Sequence, residues 1–260
     1  MIARFLRSSY RIPGFLFLSL AYTLKLGIVH IIHGADRHRI HRILIEFIHR
    51  VYALMGIRVF VQGELPEEPS ILMGNHRSYV DAVMIPAKTP VVFVGRVESK
   101  SWPIIGWGAT LLGTIWVNRK SKESRKETRE SVKHRLQDGF GIVIFPEGTT
   151  HMGPDVLEYR PSMFYISAEG GFPVTPIAIE YKDPNIAWVG QSMFVPHAWK
   201  QFGAKYIDVK VSYGPTYCLP DGGEMLEKTR AWTEKEALRL RREWDEQIAE
   251  ERKGLSLIHI

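Results

Sequence analysis

The feature that most constrains the fold is a change of hydrophobic period at Gly56. Before it, apolar residues recur with helical spacing, and after it short β-branched runs alternate with helix-like segments. The predicted strands are 58–61, 70–73, 91–94, 114–117, 142–145, 175–180 and 207–212, and the predicted helices are 78–87, 102–112, 121–137 and 162–168. This alternation predicts an α/β domain over residues 57–220, with a mixed, largely parallel central sheet flanked by helices.

Residues 1–56 have the pattern of a membrane-associated helical pair. Residues 12–32 are nearly all apolar but contain Lys25 and His30, so they fit an interfacial or re-entrant helix better than a full span. Residues 39–56 place apolar side chains on one helix face and arginines largely off it, as in helices that lie on anionic lipid. The alternative is a signal peptide followed by a soluble helix, but no clear small-x-small cleavage pattern supports it.

Basic charge is concentrated at the same end of the chain. Residues 1–60 hold nine of the 34 Lys and Arg but only two of the 28 Asp and Glu, which leaves the rest of the chain nearly neutral. This distribution favours a lipid surface over nucleic acid as the partner. At the other end, residues 221–253 predict a long, charged helix with a thin apolar seam.

Metal and disulfide chemistry is disfavoured. Cys218 is the only cysteine, so the chain cannot form an internal disulfide. Five histidines lie between His30 and His49, but no carboxylate or cysteine pattern completes a metal site with them.

Two loops that follow predicted strands carry the residues best suited to chemistry, because α/β sheets form their sites beyond the carboxyl ends of strands. One reads GNHRSYVD (74–81) and the other FPEGTT (145–150). A third, NRK (118–120), follows the strand that contains TIWV.

The spacing of His76 and Asp81 allows two interpretations. Five residues along an ideal helix point two side chains about 140° apart, so the pair can meet only if His76 lies in the loop and Asp81 in the first helical turns. Asp81 would then fix the imidazole tautomer and leave the other ring nitrogen free to take a proton from a hydroxyl. In the alternative, Ser78 caps a helix and His76 is a polar loop residue. A covalent nucleophile is disfavoured, because the chain lacks G-x-S-x-G and Cys218 has no basic neighbour in sequence.

Several blocks resemble one family, in that family's order. NHRSYVD (75–81) looks like the family's N-H-x-x-x-x-D block, and GTIWVNR (113–119) is similar to its G-x-x-F-I-x-R block. FPEGT (145–149) matches its F-P-E-G-T block, and FPVTPIAI (172–179) resembles its last block, which contains a proline between apolar residues. GRVESKSWPIIGW (95–107) resembles its intervening basic–x–Glu segment. The chain is identified by these blocks as similar to the glycerolipid acyltransferases of the 1-acylglycerol-3-phosphate acyltransferase type, over roughly residues 57–215. The resemblance implies an α/β acyltransferase domain behind membrane-binding helices.

The resemblance also implies a mechanism. An acyl group would pass from a thioester, on coenzyme A or an acyl carrier protein, to a lysolipid hydroxyl without an acyl-enzyme and without a resident cofactor or metal. His76 would be the general base, Asp81 would orient it, and the Gly148–Thr149 backbone would stabilise the oxyanion. The predicted substrate-binding residues are Asn75, Arg77, Ser78, Arg96, Arg119, Glu147, Gly148, Thr149 and Arg160.

The acceptor is the point at which the chain departs from the family. Arg96 and Arg119 are the candidates for a phosphate contact, the alternative for both being a surface salt bridge. Thr150 stands where the family often has a phosphate-binding arginine, although Arg160 restores a positive charge nearby. The predicted acceptor is 1-acyl-sn-glycerol-3-phosphate, giving phosphatidic acid, and the alternative is another lysolipid such as lyso-ornithine lipid. The predicted location is the cytoplasmic face of the cell membrane.

Overall fold

A mixed sheet lies at the centre of the protein in the computed structural model, which describes residues 2–85, 87–118, 121–190 and 193–257. Its strands are β1 (Ile57–Gln62), β2 (Ile71–Gly74), β3 (Val91–Arg96), β4 (Ile115–Val117), β5 (Gly141–Ile144), β6 (Val174–Tyr181) and β7 (Ile207–Tyr213). Their order across the sheet is β1-β7-β6-β2-β5-β3-β4. Neighbouring strands run parallel except β6 and β7, which are antiparallel. The predicted α/β class and largely parallel sheet are confirmed.

Helices cover both faces of this sheet. They are α1 (Ile2–His33), α2 (Arg37–Met55), α3 (Ile105–Leu111), α4 (Lys122–Gln137), α5 (Ser162–Gly170), α6 (Phe194–Phe202) and α7 (Gly222–Leu257). The apolar stripe of α2 packs on one face, and α4, α5 and α7 pack on the other. Because both faces are covered, the central strands are buried on both sides, and every residue of β6 is buried.

The helices α1 and α2 pack against each other, but the apolar stripe of α2 is buried against the sheet and α1 and does not face lipid as predicted. The Asp36 side chain caps α2 by accepting the Arg39 N–H at 2.8 Å, and Gly56 ends it in the left-handed conformation (φ 70°). A small apolar cluster joins the two helices and consists of Tyr22, Leu26, Ile40 and Ile43. Among the described residues, α1 alone is long and apolar enough to cross a membrane, judged by length and composition, and only 17% of its most apolar window is buried.

Two predicted helices near the site are wrong in extent. In the described part of the segment predicted as a helix over 78–87, the helical structure is a short 3-10 turn, Asp81–Met84. The Asp81 carboxylate accepts the N–H groups of Arg77 and Ser78 and so holds the chain before it in a loop. The helix predicted over 102–112 is shorter than expected: α3 begins only at Ile105, after Ile104 at φ 66°, and a separate 3-10 turn, Val97–Ser101, precedes it. The helix α6 was not predicted at all.

Candidate active site

The carboxyl end of β2 positions the first loop of the site. β2 lies between β5 and β6 at the middle of the sheet. Directly after it, the buried Asn75 amide donates to Ile179 O and accepts from Ile179 N, both at 2.8 Å. The side chain thus replaces the strand pairing that ends at Gly74 and fixes where the next residue, His76, leaves the sheet.

His76 and Asp81 form a hydrogen-bonded pair. The Nδ1 of His76 lies 2.8 Å from Asp81 Oδ2, and the Asp81 side chain is fully buried while that of His76 is 23% exposed. An ionised carboxylate only accepts hydrogen bonds, so Nδ1 carries the proton and Nε2 keeps its lone pair. The imidazole stacks on Phe145, with 4.2 Å between ring centroids and 9° between the planes. Packing and hydrogen bonding together leave the Nε2 edge free to act.

Asp81 is held by further donors. Its Oδ2 also accepts the N–H groups of Arg77 at 2.6 Å and Ser78 at 2.9 Å. Its Oδ1 accepts the hydroxyl of the buried Tyr181, at the end of β6, at 2.7 Å. Burial beside the Asp81 carboxylate raises the pKa of Tyr181 well above its ordinary value, so the phenol stays a donor. Sequence reasoning missed Tyr181, because it is 100 residues from Asp81.

Glu147 ties the two loops together. Its Oε2 accepts the His76 N–H at 2.7 Å and its Oε1 accepts the Leu157 N–H at 2.9 Å. Burial raises the pKa of the carboxyl, and the two backbone donors oppose that rise. Both oxygens are therefore used inside the protein, and the structure places Glu147 behind His76 and away from the cavity that His76 lines.

Arg77 is likewise buried behind the loop. Its Nε donates to Glu180 Oε2 at 3.2 Å, and its Nη atoms donate to the carbonyls of Asp155 and Pro154, both at 3.1 Å. Arg241 of α7 donates to the other oxygen of Glu180 at 3.4 Å. Ser78 is buried too, and its N–H serves Asp81. The structure therefore uses Asn75, Arg77 and Ser78 to support the dyad and does not bring their side chains to the cavity.

A cavity of about 1220 Å³ opens beside His76. The part of it that lies against the helices α1 and α2, here called the apolar arm, has mainly apolar and aromatic walls. This apolar arm is lined by Phe15, Tyr22, Leu26, Phe47, Val51 and Met55. One cavity thus joins a histidine with a free ring nitrogen to a space suited to a hydrocarbon chain.

Of the residues that the structure describes, three arginines line the same cavity and are here called the cationic rim: Arg96, Arg129 and Arg160. Arg96 lies 3.8 Å from Glu98, and both side chains are 62% exposed, so this pair is loose. The predicted Arg119 lies outside the described residues. Arg129 was not predicted, because its signal is hidden among the many charges of α4.

The second loop forms the part of the cavity wall beside His76. Gly148 adopts φ 73°, and a Cβ there would meet the Arg160 guanidinium at 2.7 Å, so only glycine fits. The Gly148 N–H donates to Phe145 O at 3.1 Å, which leaves the Thr149 N–H as the oxyanion donor to consider. The Thr150 hydroxyl donates to Trp188 O, and this bond fastens the loop to the segment after β6.

Comparison with known proteins places this geometry in a family. The sequence profile of the family described as "Acyltransferase" matches residues 56–180. A lyso-ornithine lipid O-acyltransferase from Pseudomonas aeruginosa is 30% identical over 203 residues, which cover 75% of this chain and 77% of the relative. The chain belongs to the acyltransferase family.

Other acyltransferases extend the comparison. A 1-acyl-sn-glycerol-3-phosphate acyltransferase from Neisseria meningitidis is 28% identical over 194 residues, covering 71% of this chain and 74% of that protein. The crystal structure of the 1-acyl-sn-glycerophosphate acyltransferase PlsC from Thermotoga maritima superposes with a TM-score of 0.61 at 18% identity, covering 89% of this chain and 98% of that one. The prediction of an acyltransferase of the glycerolipid type is confirmed, and the fold is shared along nearly the whole chain.

Proposed function

We propose that this acyltransferase moves an acyl group from a thioester to the free hydroxyl of a lysolipid, with His76 as the general base. The observation that carries the proposal is the His76–Asp81 pair, which turns a free Nε2 edge toward a cavity with an apolar arm. Proximity matters here because a bound hydroxyl and a bound thioester held beside one base react as if within a single molecule.

The steps balance without a covalent enzyme intermediate. His76 Nε2 takes the hydroxyl proton as the oxygen attacks the thioester carbonyl, and Asp81 stabilises the imidazolium that forms. The Thr149 N–H is the proposed donor to the developing oxyanion. The carbon–sulfur bond then breaks, and the imidazolium returns the proton to the leaving thiolate. Coenzyme A or an acyl carrier protein would bring the thioester as a co-substrate.

The acceptor is proposed to carry an anionic headgroup, because the cationic rim faces the cavity. A phosphate would be bound by guanidinium groups, which fits 1-acyl-sn-glycerol-3-phosphate and the product phosphatidic acid. Lyso-ornithine lipid, whose headgroup carries a carboxylate, is the second candidate. Two observations favour lyso-ornithine lipid. Thr150, which is hydrogen-bonded to Trp188, stands where an arginine is expected for binding a phosphate. Relatives such as the Pseudomonas enzyme are also named lyso-ornithine lipid acyltransferases.

The proposed place of action is the membrane surface, at its cytoplasmic face. The apolar surface of α1 is largely unburied, and α1 contains Arg4, Arg7, Arg11 and Lys25 but no acidic residue. Such a helix is attracted to anionic lipid. The cytoplasmic face is proposed because acyl thioester carriers are found in that compartment.

One assay tests the reaction and the acceptor together. Purified full-length protein is incubated with a labelled acyl thioester, carried on coenzyme A or on acyl carrier protein, and with each lysolipid in turn. His76→Ala is expected to lower kcat by roughly 10²–10⁴-fold. His134→Ala serves as the matched control, because His134 is an exposed histidine of α4. The proposal would be refuted if none of the lysolipids gave an ester product, or if His76→Ala kept full activity. The lysolipid that reacts best decides between the two candidate acceptors.

A further inference from the structure

The helix α6 contacts both the cavity and α1. On its inner side, Phe194 lines the cavity and packs on Trp102, with 5.4 Å between ring centroids. On the side that meets α1, Trp199 contacts Phe5 with 5.6 Å between ring centroids. The two helices are also hydrogen-bonded, since Ser8 Oγ donates to Trp199 O at 2.6 Å. α6 is therefore fixed to α1 and forms part of the cavity wall.

The outer side of α6 and its surroundings expose apolar side chains to solvent. Met193, directly before the helix, is 73% exposed, and Val195 is 68% exposed. Trp199 and Trp102 are each 37% exposed. This patch continues onto α1, because Trp199 contacts Phe5, which is 59% exposed. Exposed apolar side chains that adjoin one another mark an interaction surface, unlike the scattered ones normal for a soluble protein.

The charges and aromatic residues of the patch match a lipid surface. Neither α1 nor α6 contains an acidic residue, and α6 ends beside the exposed Lys200 and Lys205. Tryptophans with lysines at the border of an apolar patch are typical of segments that rest at the headgroup level of a bilayer. The patch also borders the cavity, because the partly exposed Trp102 belongs to the patch and lines the cavity together with Phe194.

We propose that α6 and Trp102 form a second membrane contact, next to the anchor in α1, which sets this side of the cavity into the headgroup layer so that lysolipid enters without crossing water. This inference rests on the proposed function for its purpose, but the contact itself is measured independently of activity. The partner of this surface is a bilayer that contains anionic lipid.

The single cysteine allows a direct test. Cys218 is exposed and follows Tyr217, which pairs with Val174 at the start of β6, whereas the dyad contacts Tyr181 at the end of that strand. An environment-sensitive fluorophore is attached to Val195→Cys and to Phe17→Cys of α1, each in a Cys218→Ser background, and to Cys218 in the natural sequence. Vesicles of phosphatidylcholine with phosphatidylglycerol are then added.

The proposal predicts blue-shifted emission and loss of iodide quenching at positions 195 and 17, with no change at 218. If the label at 195 stays in water while the label at 17 enters the membrane, the second contact does not exist. A change at 218 as large as that at 195 would mean nonspecific adsorption and would also overturn it. Because these readouts need no turnover, they stand even if the proposed reaction fails.

An activity arm tests the purpose of the contact. The double variant Met193→Ser, Val195→Ser is expected to lose about tenfold in kcat/KM for lysolipid embedded in vesicles, because its apolar contact with the bilayer is removed. Turnover of a short-chain, monomeric lysolipid should stay at the wild-type rate. Leu238→Ser, on the exposed side of α7, is the matched control and should change neither rate. An equal loss on both acceptors, or no loss on either, would contradict the entry role.

Discussion

The dyad and the cationic rim border the same cavity but are built in opposite ways. His76 and Asp81 are held by backbone N–H groups, a buried tyrosine and a buried glutamate, and Asp81 is fully buried. The arginines of the rim are exposed, and Arg96 has only a loose ion pair. The fold therefore holds the His76 ring firmly, whereas the arginines proposed to contact the headgroup lie exposed at the surface. Changes in the dyad should act on kcat, and changes in the rim should act on KM.

The largest effect is expected from Asp81→Asn. The amide keeps the shape of the carboxylate but cannot stabilise an imidazolium, and it can favour the wrong tautomer of His76. We expect kcat to fall by roughly 10²–10⁴-fold with KM nearly unchanged. Steady-state kinetics measure the split, and circular dichroism checks the fold. If Asp81→Asn instead raised KM and left kcat unchanged, the dyad would not differ from the cationic rim in the way described.

A smaller effect is expected from Tyr181→Phe. The substitution keeps the ring but removes a hydrogen bond to Asp81, and hydrogen bonds to charged groups contribute about 1.5–3 kcal/mol. We expect kcat to fall by about tenfold. We also expect the acid limb of the pH–rate profile to move to higher pH, because a carboxylate that has lost a donor holds the imidazolium more strongly.

A matched control exists for Tyr181→Phe. Tyr52 donates its hydroxyl to Val83 O in the same 3-10 turn that carries Asp81, and it does not touch the carboxylate. Tyr52→Phe can loosen that turn and so lower stability, but it should leave the pH profile in place. Equal shifts of the profile in both variants would reduce Tyr181 to a packing residue.

The rim is tested by Arg129→Ala against Arg135→Ala. Both arginines belong to α4, but Arg129 lines the cavity and Arg135 lies over the Phe140 ring, 5.4 Å from its centroid. Loss of one partly exposed guanidinium should raise the KM for the lysolipid by about 3–10-fold at constant kcat, as for a contact worth around 1 kcal/mol. Arg135→Ala should leave KM as it was. A fall in kcat for Arg129→Ala would place this arginine with the dyad.

The smallest effect concerns stability and pH at Glu147. Burial raises the pKa of this carboxyl above its ordinary value of 4.5, so the folded protein binds its proton more tightly than the unfolded chain does. The stability that the protonated Glu147 contributes is fully present below the ordinary pKa, and it is lost as the pH rises through the raised pKa of the folded protein. Relative to Glu147→Gln, the wild type should therefore lose free energy of unfolding as pH rises from about 4.5. Urea unfolding at several pH values checks the slope, and parallel curves for the two proteins would contradict it.

The sequence predicted the parts of this protein that depend on local pattern. Short β-branched runs marked every strand, and the blocks around His76 and Glu147 marked the site. The position of the Glu147 carboxylate could not be predicted, because its partners, the amides of His76 and Leu157, meet it only after folding. Nor could the contact between Tyr181 and Asp81, which joins residues 100 apart.

The helices show the same limit. The buried seam of α7 includes Thr229, Thr233 and Ala237, residues whose hydrophobicity is too low to mark a helix face, so only a thin seam was predicted. α6 is nine residues long and contains Pro196, so its sequence has too few turns for a helical period to emerge. A short helix such as α6 is defined by its contacts with α1 and Trp102 more than by its own sequence.

The central claim is that His76 and Asp81 act as one general base, and a double-mutant cycle tests it most directly. kcat is measured for the wild type, His76→Ala, Asp81→Asn and the double variant with the preferred lysolipid. If Asp81 acts only through His76, the double variant should be no slower than His76→Ala alone, since the two losses are not additive. Losses that multiply in the double variant, or a His76→Ala enzyme within a few-fold of wild type, would contradict the account.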